Sequence, residues 1–265
     1  MCHLSNTLIG ILNFFTFLFS IPILWVGIWL SKHGATECEK WLDKVFIVLG
    51  VFLLLVSLAG LAGACCRISL LLWIYLVAMF LLILVVLAFT VFAFVVTNKG
   101  AGKVLSGKGY KEYRLGDYSH WLQKRVNDSN NWKTMKSCLQ AGQYCSVYQK
   151  LYAKDDVNEF NKEKLTPLQS GCCKPSNDCN FVYQSPTVWN STANSNYANP
   201  DCRAWNNDPK VLCYDCNACK AGMVQDIKTK WKKTAKINII FLILLIIVYS
   251  VGCCAFRNNR RDNWK

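Results

Sequence analysis

Four stretches of this chain contain no Asp, Glu, Lys, Arg or His: Leu8–Leu30, Val45–Ala64, Ile68–Thr97 and Ile237–Phe256. About 20 apolar residues in a helix cross the ~30 Å hydrocarbon layer of a bilayer, and each stretch reaches that length. The alternative, four buried helices of a soluble core, does not call for uncharged runs this long. Ionisable groups inside a bilayer mark ion pathways, proton relays and transport sites, so their absence argues against all three. Histidine is scarce as well. His3, His33 and His120 stand in no catalytic or metal motif, which makes an enzyme the weakest reading and leaves no cofactor or metal to expect. Met1–Thr7 has no Lys or Arg, and the apolar run behind it exceeds the ~7–15 residues of a signal-peptide core. The first span is expected to be retained.

What remains is an all-α membrane protein with four transmembrane helices and a disulfide-stapled, mainly helical large loop. The expected order is an N-terminus (1–7), span 1 (8–30), a small outer loop (31–44), span 2 (45–64), a turn (65–67), span 3 (68–97), the large outer loop (98–236), span 4 (237–256) and a tail (257–265). Both termini then share one side. The basic residues Arg67, Arg257, Arg260, Arg261 and Lys265 favour a cytosolic placement. Lys228, Lys230, Lys232, Lys233 and Lys236 oppose it from the far end of span 4. Cysteine and sequon usage decides for the cytosolic placement. The large loop holds Cys138, Cys145, Cys172, Cys173, Cys179, Cys202, Cys213, Cys216 and Cys219, with acceptor sequons at Asn127 and Asn190.

The loop is organised around Gly171-Cys172-Cys173-Lys174-Pro175. Two adjacent cysteines do not readily bond to each other, so each seeks a remote partner and the pair ties two segments to one point. Nine loop cysteines are an odd number. Either Cys38 in the small loop joins the two loops or a thiol stays free, and the pairing is not readable from sequence. Cys213-x2-Cys216-x2-Cys219 has the spacing of an iron–sulfur opening, but the next ligand position is Met223, and the oxidising side favours disulfides. The spacing of Tyr110, Tyr113, Tyr118, Trp121, Leu122 and Val126 predicts a helix, and a second helix is expected over 132–152 with Cys138 and Cys145 on one face. Turns should dominate 171–209, and 211–236 should be a helical stalk. The loop carries 22 basic and 12 acidic side chains; most of them read as solvated surface, while the lysines before span 4 could meet anionic lipid. No nucleic-acid motif is present.

In span 1, Asn13, Ser20 and Gly27 recur at seven, and in span 2 so do Gly50, Ser57 and Ala64. A period of seven keeps small residues on one face, where helices pack closely in lipid. Cys2, Cys65, Cys66, Cys253 and Cys254 lie at the cytosolic level, where juxtamembrane cysteines are S-acylated.

The whole pattern resembles the tetraspanins. The Gly-Cys-Cys-Lys-Pro form of the hub, with Gly10-Ile11-Leu12-Asn13-Phe14, Asn98-Lys99-Gly100-Ala101-Gly102 and Tyr249-Ser250-Val251-Gly252-Cys253-Cys254, is similar to the plant members, in particular the tetraspanin-8-type group. The resemblance implies a non-enzymatic scaffold that organises proteins and lipids laterally into microdomains. It would reside at the plasma membrane and on endosomal or secreted vesicles. Its partners would be other tetraspanins, as homo- and hetero-oligomers, membrane proteins such as receptors, and lipids, anionic glycolipids among them. It also implies links to cell differentiation and senescence. It further implies that Cys172 and Cys173 bridge to later loop cysteines, with Cys202 and Cys219 as candidates. A receptor for an outside peptide or glycolipid, requiring a pocket in the loop, is the runner-up. A four-span channel or junction protein follows it.

Overall fold

The computed structural model describes residues 2–33, 37–66, 68–191 and 197–262, with the side chains of 2–5, 33, 37–42, 258, 259 and 262 outside the description. They fall into two units, Met1–Phe92 with Thr234–Lys265, and Ala93–Lys233. The protein is all-α with four membrane-spanning helices: α1 (Cys2–His33), α2 (Glu37–Cys65), α3 (Ser69–Val96) and, last in the chain, α10 (Asn217–Asp262).

The first unit reverses the pattern of a soluble core. Phe19, Trp25, Leu70 and Val85 are each about 65% exposed, while Asn13, Ser20 and Ser57 are buried. Lipid is as apolar as leucine, so greasy side chains gain nothing by facing inward, and close backbone approach holds the helices instead. On the α1–α2 face a Cβ on Gly27 would stand 2.9 Å from the Ile47 backbone nitrogen, one on Gly50 2.6 Å from Leu24, and one on Gly60 2.5 Å from Asn13. Ala64 is buried on the same helix as Ser57. The buried polar groups bond to their own helices. Asn13 Nδ2 donates to the Ile9 carbonyl at 2.9 Å, Ser20 Oγ to Phe17 at 2.7 Å and Ser57 Oγ to Leu54 at 2.9 Å. Replacing Gly27 with leucine should overpack this face and destabilise the purified protein by about 1–3 kcal/mol. A tryptophan-fluorescence melt in detergent checks it; an unshifted melt would mean the helices separate freely there.

The second unit opens with a strand pair, β1 (Lys103–Val104) antiparallel to β2 (Lys111–Glu112). Helices α4 (His120–Asn127), α5 (Ser129–Ala141), α6 (Tyr144–Leu151), α7 (Val157–Lys162) and α8 (Pro167–Cys172) follow. The hairpin β3 (Val182–Ser185)–β4 (Val188–Asn190) and α9 (Asp201–Ala204) lead to the start of α10. The caps are legible: Asp128 accepts from the Asn131 amide at 2.9 Å, Asp156 takes the Asn158 and Glu159 amides, and Thr166 and Gln169 form a reciprocal box. An aromatic core gathers Tyr110, Tyr148, Phe160, Tyr183 and Trp189, with Phe160 and Tyr183 centroids 5.0 Å apart.

Three expectations of helix need correction. Of 110–126, only His120–Asn127 forms α4. The pairing Lys103↔Glu112 and Val104↔Lys111 holds the earlier part extended, and a short 3-10 turn at Leu115–Asp117 intervenes. The segment 132–152 breaks in two. Gly142 caps α5 and Gln143 takes a left-handed φ of 50°, so Cys138 and Cys145 sit on different helices. The stalk before span 4 begins at Asn217 rather than 211, because 208–216 is a run of turns closed by a disulfide between Cys213 and Cys216.

Candidate functional site

The hub grows from α8. Pro167 opens the helix, where a missing amide proton is harmless, and Leu168 anchors it in the core. At Gly171 a Cβ would lie 2.3 Å from the Ala218 carbonyl oxygen, so only glycine permits this approach of α8 to the start of α10. The contact brings Cys172 to Cys219, and the two are bonded. Cys213 donates its amide to the Cys172 carbonyl at 3.2 Å. Successive helical residues point about 100° apart. Cys173, capping α8, therefore turns toward α6 and bonds Cys145. One dipeptide fastens α8 to α6 on one side and to α10 on the other.

Two of the implied pairings are overturned. Cys173 goes to an earlier cysteine rather than a later one. Cys202 bonds Cys179, closing the segment that carries the β3–β4 hairpin. Cys213 and Cys216 bond to each other. Cys138 is also disulfide-bonded; the question of whether Cys38 joins the two loops lies outside the described residues.

Lys174 is fully buried. Its ammonium donates to Glu112 Oε1 at 2.9 Å and to the Pro175 carbonyl at 3.0 Å, and stands 4.6 Å from the Tyr110 ring centroid. Glu112 also accepts from the Asn177 amide at 2.8 Å and from Ser176 Oγ at 3.4 Å. Burial pushes the Lys174 pKa down, opposed by Glu112. Sequence reasoning missed Glu112 and Tyr110 as partners. They lie 62 and 64 positions before Lys174, and no spacing rule links them.

The remaining candidate residues are scattered. Asn127 is exposed at the end of α4, with its Oδ1 accepting from Lys220 Nζ at 3.3 Å. Asn190 is exposed at the end of β4; its sequon partner Thr192 lies outside the described residues. Cys65, Cys66, Cys253 and Cys254 have free thiols, half-buried at Cys253 and exposed at the other three; the side chain of Cys2 is outside the description. The basic cluster is not all free to meet lipid. Lys228 is buried, donates to the Gly100 carbonyl and lies 6.0 Å from the Tyr118 ring centroid, while Lys230 pairs with Asp226 at 2.7 Å.

Burial raises the pKa of the Tyr110, Tyr113, Tyr118, Tyr148, Tyr183 and Tyr214 phenols. Unfolded tyrosine ionises near pH 10. The folded unit keeps its protons there while the unfolded chain loses them, so stability is complete below about pH 10 and falls as pH rises beyond it. An absorbance titration at high pH should show these phenols ionising together with unfolding; smooth ionisation of the folded protein near pH 10 would contradict the burial.

A model of the Tetraspanin family matches residues 5–255. Tetraspanin-7 of Arabidopsis thaliana is 63% identical over the full length of both chains. Tetraspanin-8 of the same plant is 59% identical over 99% of this chain and 96% of its own. Tetraspanin-4 is 42% identical over 97% of this chain and 79% of its own. No solved structure matches. With this coverage joined to four membrane-spanning helices and a disulfide-stapled loop, the chain belongs to the tetraspanin family, in its plant branch.

Proposed function

We propose that this protein gathers membrane proteins and lipids into microdomains of the plasma membrane and of vesicles derived from it, with both termini cytosolic. The coarser part follows from family membership: a multi-pass membrane protein of scaffold type, which partners with tetraspanins and other membrane proteins. The observation that carries the finer reading is the division of labour between the units. The spans present broad apolar faces for lateral contact, with Phe19, Trp25, Leu70 and Val85 outward. Residues 93–233 form their own disulfide-held core and offer a shaped surface for partner choice. Acyl chains on Cys65, Cys66, Cys253 and Cys254, and on Cys2, would add further weak contacts, and several weak contacts acting together build a stable assembly. Participation in cell differentiation and senescence would follow from which receptors are gathered.

The test is isolation in mild detergent of the full chain and of a chimera whose residues 98–236 come from a distant tetraspanin. Shared tetraspanin partners with exchanged non-tetraspanin partners is the expected result. Ion conduction by the purified protein in planar bilayers, or loss of all association in both proteins, would overturn it. Orientation has its own test. An Asn127→Gln/Asn190→Gln variant should lose a glycan shift on gels if the large loop is outside.

A further inference from the structure

Beside the hub lies a cavity of about 290 Å³ with Ser170, Gly171 and Ala218 in its lining. Ligand pockets run from about 300 to 1,000 Å³, so this one suits a single ring and little more. We propose that it binds a neutral sugar ring, the terminal unit of a larger glycan. This goes beyond the scaffold reading and does not depend on it.

The cavity is pre-shaped. The Cys172–Cys219 bond fixes the backbone next to both Gly171 and Ala218, two of its lining residues. A site that needs no ordering on binding loses less affinity to entropy. Its charges select against ions. Lys103 and Arg114 bring two positive charges and Glu112, Asp178 and Asp201 three negative ones, with Lys174 against Glu112 restoring balance. Arg114 and Asp178 stand 3.8 Å apart, and both are more than half exposed. With Glu112 matched by Lys174, an anion would meet Asp178 and Asp201 and a cation would meet Lys103 and Arg114, so neither sign finds an unopposed partner.

A polyhydroxyl ligand uses both signs, because each hydroxyl donates one hydrogen bond and accepts others. The acceptors are available. The Asp201 oxygens each take one backbone amide, from Asn217 and Ala218, both at 2.8 Å, and a carboxylate has about four lone-pair sites. Donors are available as well. Asn199 spends its Oδ1 on the Asp201 amide at 3.0 Å, leaving Nδ2, and the Asn217 side chain has no partner among the described residues. Tyr113, Leu115 and Pro200 supply the apolar lining against which the C–H face of a sugar packs. Small polar ligands are held by this combination of an apolar wall and a few placed polar groups.

The test uses the full chain in nanodiscs of a zwitterionic phospholipid. The soluble probes are biotinylated neutral oligosaccharides ending in glucose, galactose, mannose or xylose, a uronate-ended oligosaccharide, inorganic phosphate and an acidic peptide. Glycolipids bearing the same neutral sugars, placed in the nanodisc, form a second arm. The expected result is saturable binding of one neutral terminal sugar, weakened at least tenfold by Asn217→Ala and by Asp178→Asn without a change in melting temperature. These two side chains are exposed, and neither caps a helix. Binding in the soluble arm identifies a free glycan as the source; binding only in the glycolipid arm identifies a lipid headgroup. No binding of neutral sugars in either arm overturns the proposal, as does stronger binding of the uronate, phosphate or peptide probe, or binding that both substitutions leave intact.

Discussion

A Cys172→Ser/Cys219→Ser double substitution should destabilise the large-loop unit by about 4 kcal/mol. The pair closes a sequence separation of 47, and loop-closure entropy for a segment of that length gives this value. Removing both cysteines avoids a stray thiol that would reshuffle the other bridges. By the same relation the Cys145–Cys173 bond, over a separation of 28, contributes about 3.6 kcal/mol, and the Cys213–Cys216 bond, over 3, only about 1.6 kcal/mol. The ranking is therefore a sharper test than any single value. Thermal melts by near-ultraviolet dichroism, with limited proteolysis under non-reducing conditions, should place the Cys172/Cys219 variant lowest of the three and a Cys213→Ser/Cys216→Ser variant nearest the parent. A further consequence is local. Without the bond, only packing keeps Gly171 against the Ala218 carbonyl, so proteolysis should begin in the segments flanking α8 and at the start of α10. Equal melting of the two variants would mean that packing, and not the bridge, holds the hub.

What the sequence disclosed, and what it withheld, follows from the range of each interaction. The spans are legible because uncharged runs of that length have few other fates, and the heptads of small residues because helical periodicity is local. The hub announces itself through two adjacent cysteines. Its connectivity does not. The pairing of Cys173 with Cys145 depends on how α6 lies beside α8, and that arrangement is set by the aromatic core around Tyr148 and Phe160. The break between α5 and α6 was hidden for a related reason. Gly142 is an ordinary C-terminal signal, but the left-handed turn falls on Gln143, a residue with no special claim to it. Tyr110 and Tyr113 carry a helical spacing that the strand pairing at Lys111–Glu112 overrides. The lysine of the hub gives no sign in the sequence that it is buried, since lysines before prolines are commonly exposed. Its partner lies on β2, and only the tertiary fold joins them.

That buried pair should produce the second large effect. Glu112→Gln leaves the Lys174 ammonium with no solvent access and without its hydrogen-bonded counter-charge, and breaking a buried pair in this way costs about 3–5 kcal/mol. Lys174→Met should be milder. Glu112 is 15% exposed and keeps the Asn177 amide and the Ser176 hydroxyl, so its charge retains partners. Combining both substitutions should recover much of the Glu112→Gln loss, because a buried methionine beside a neutral amide removes the uncompensated charge. The pH dependence separates this mechanism from simple loss of packing. Lys174 already has a depressed pKa through burial, and losing Glu112 removes the opposing influence that favours its charged form. Between that lowered folded value and the unfolded value of about 10.4, the unfolded chain binds more protons than the folded one, so stability rises with pH. The Glu112→Gln defect should therefore shrink as pH climbs from the variant's lower folded value to the parent's, above which both gain stability equally until tyrosine ionisation takes over. The Lys174→Met defect, with no ammonium left, should lack this recovery. Melts of the parent, both single variants and the double variant across alkaline pH measure the coupling directly; parallel curves for the two single variants would show that the ammonium is not what the fold must neutralise.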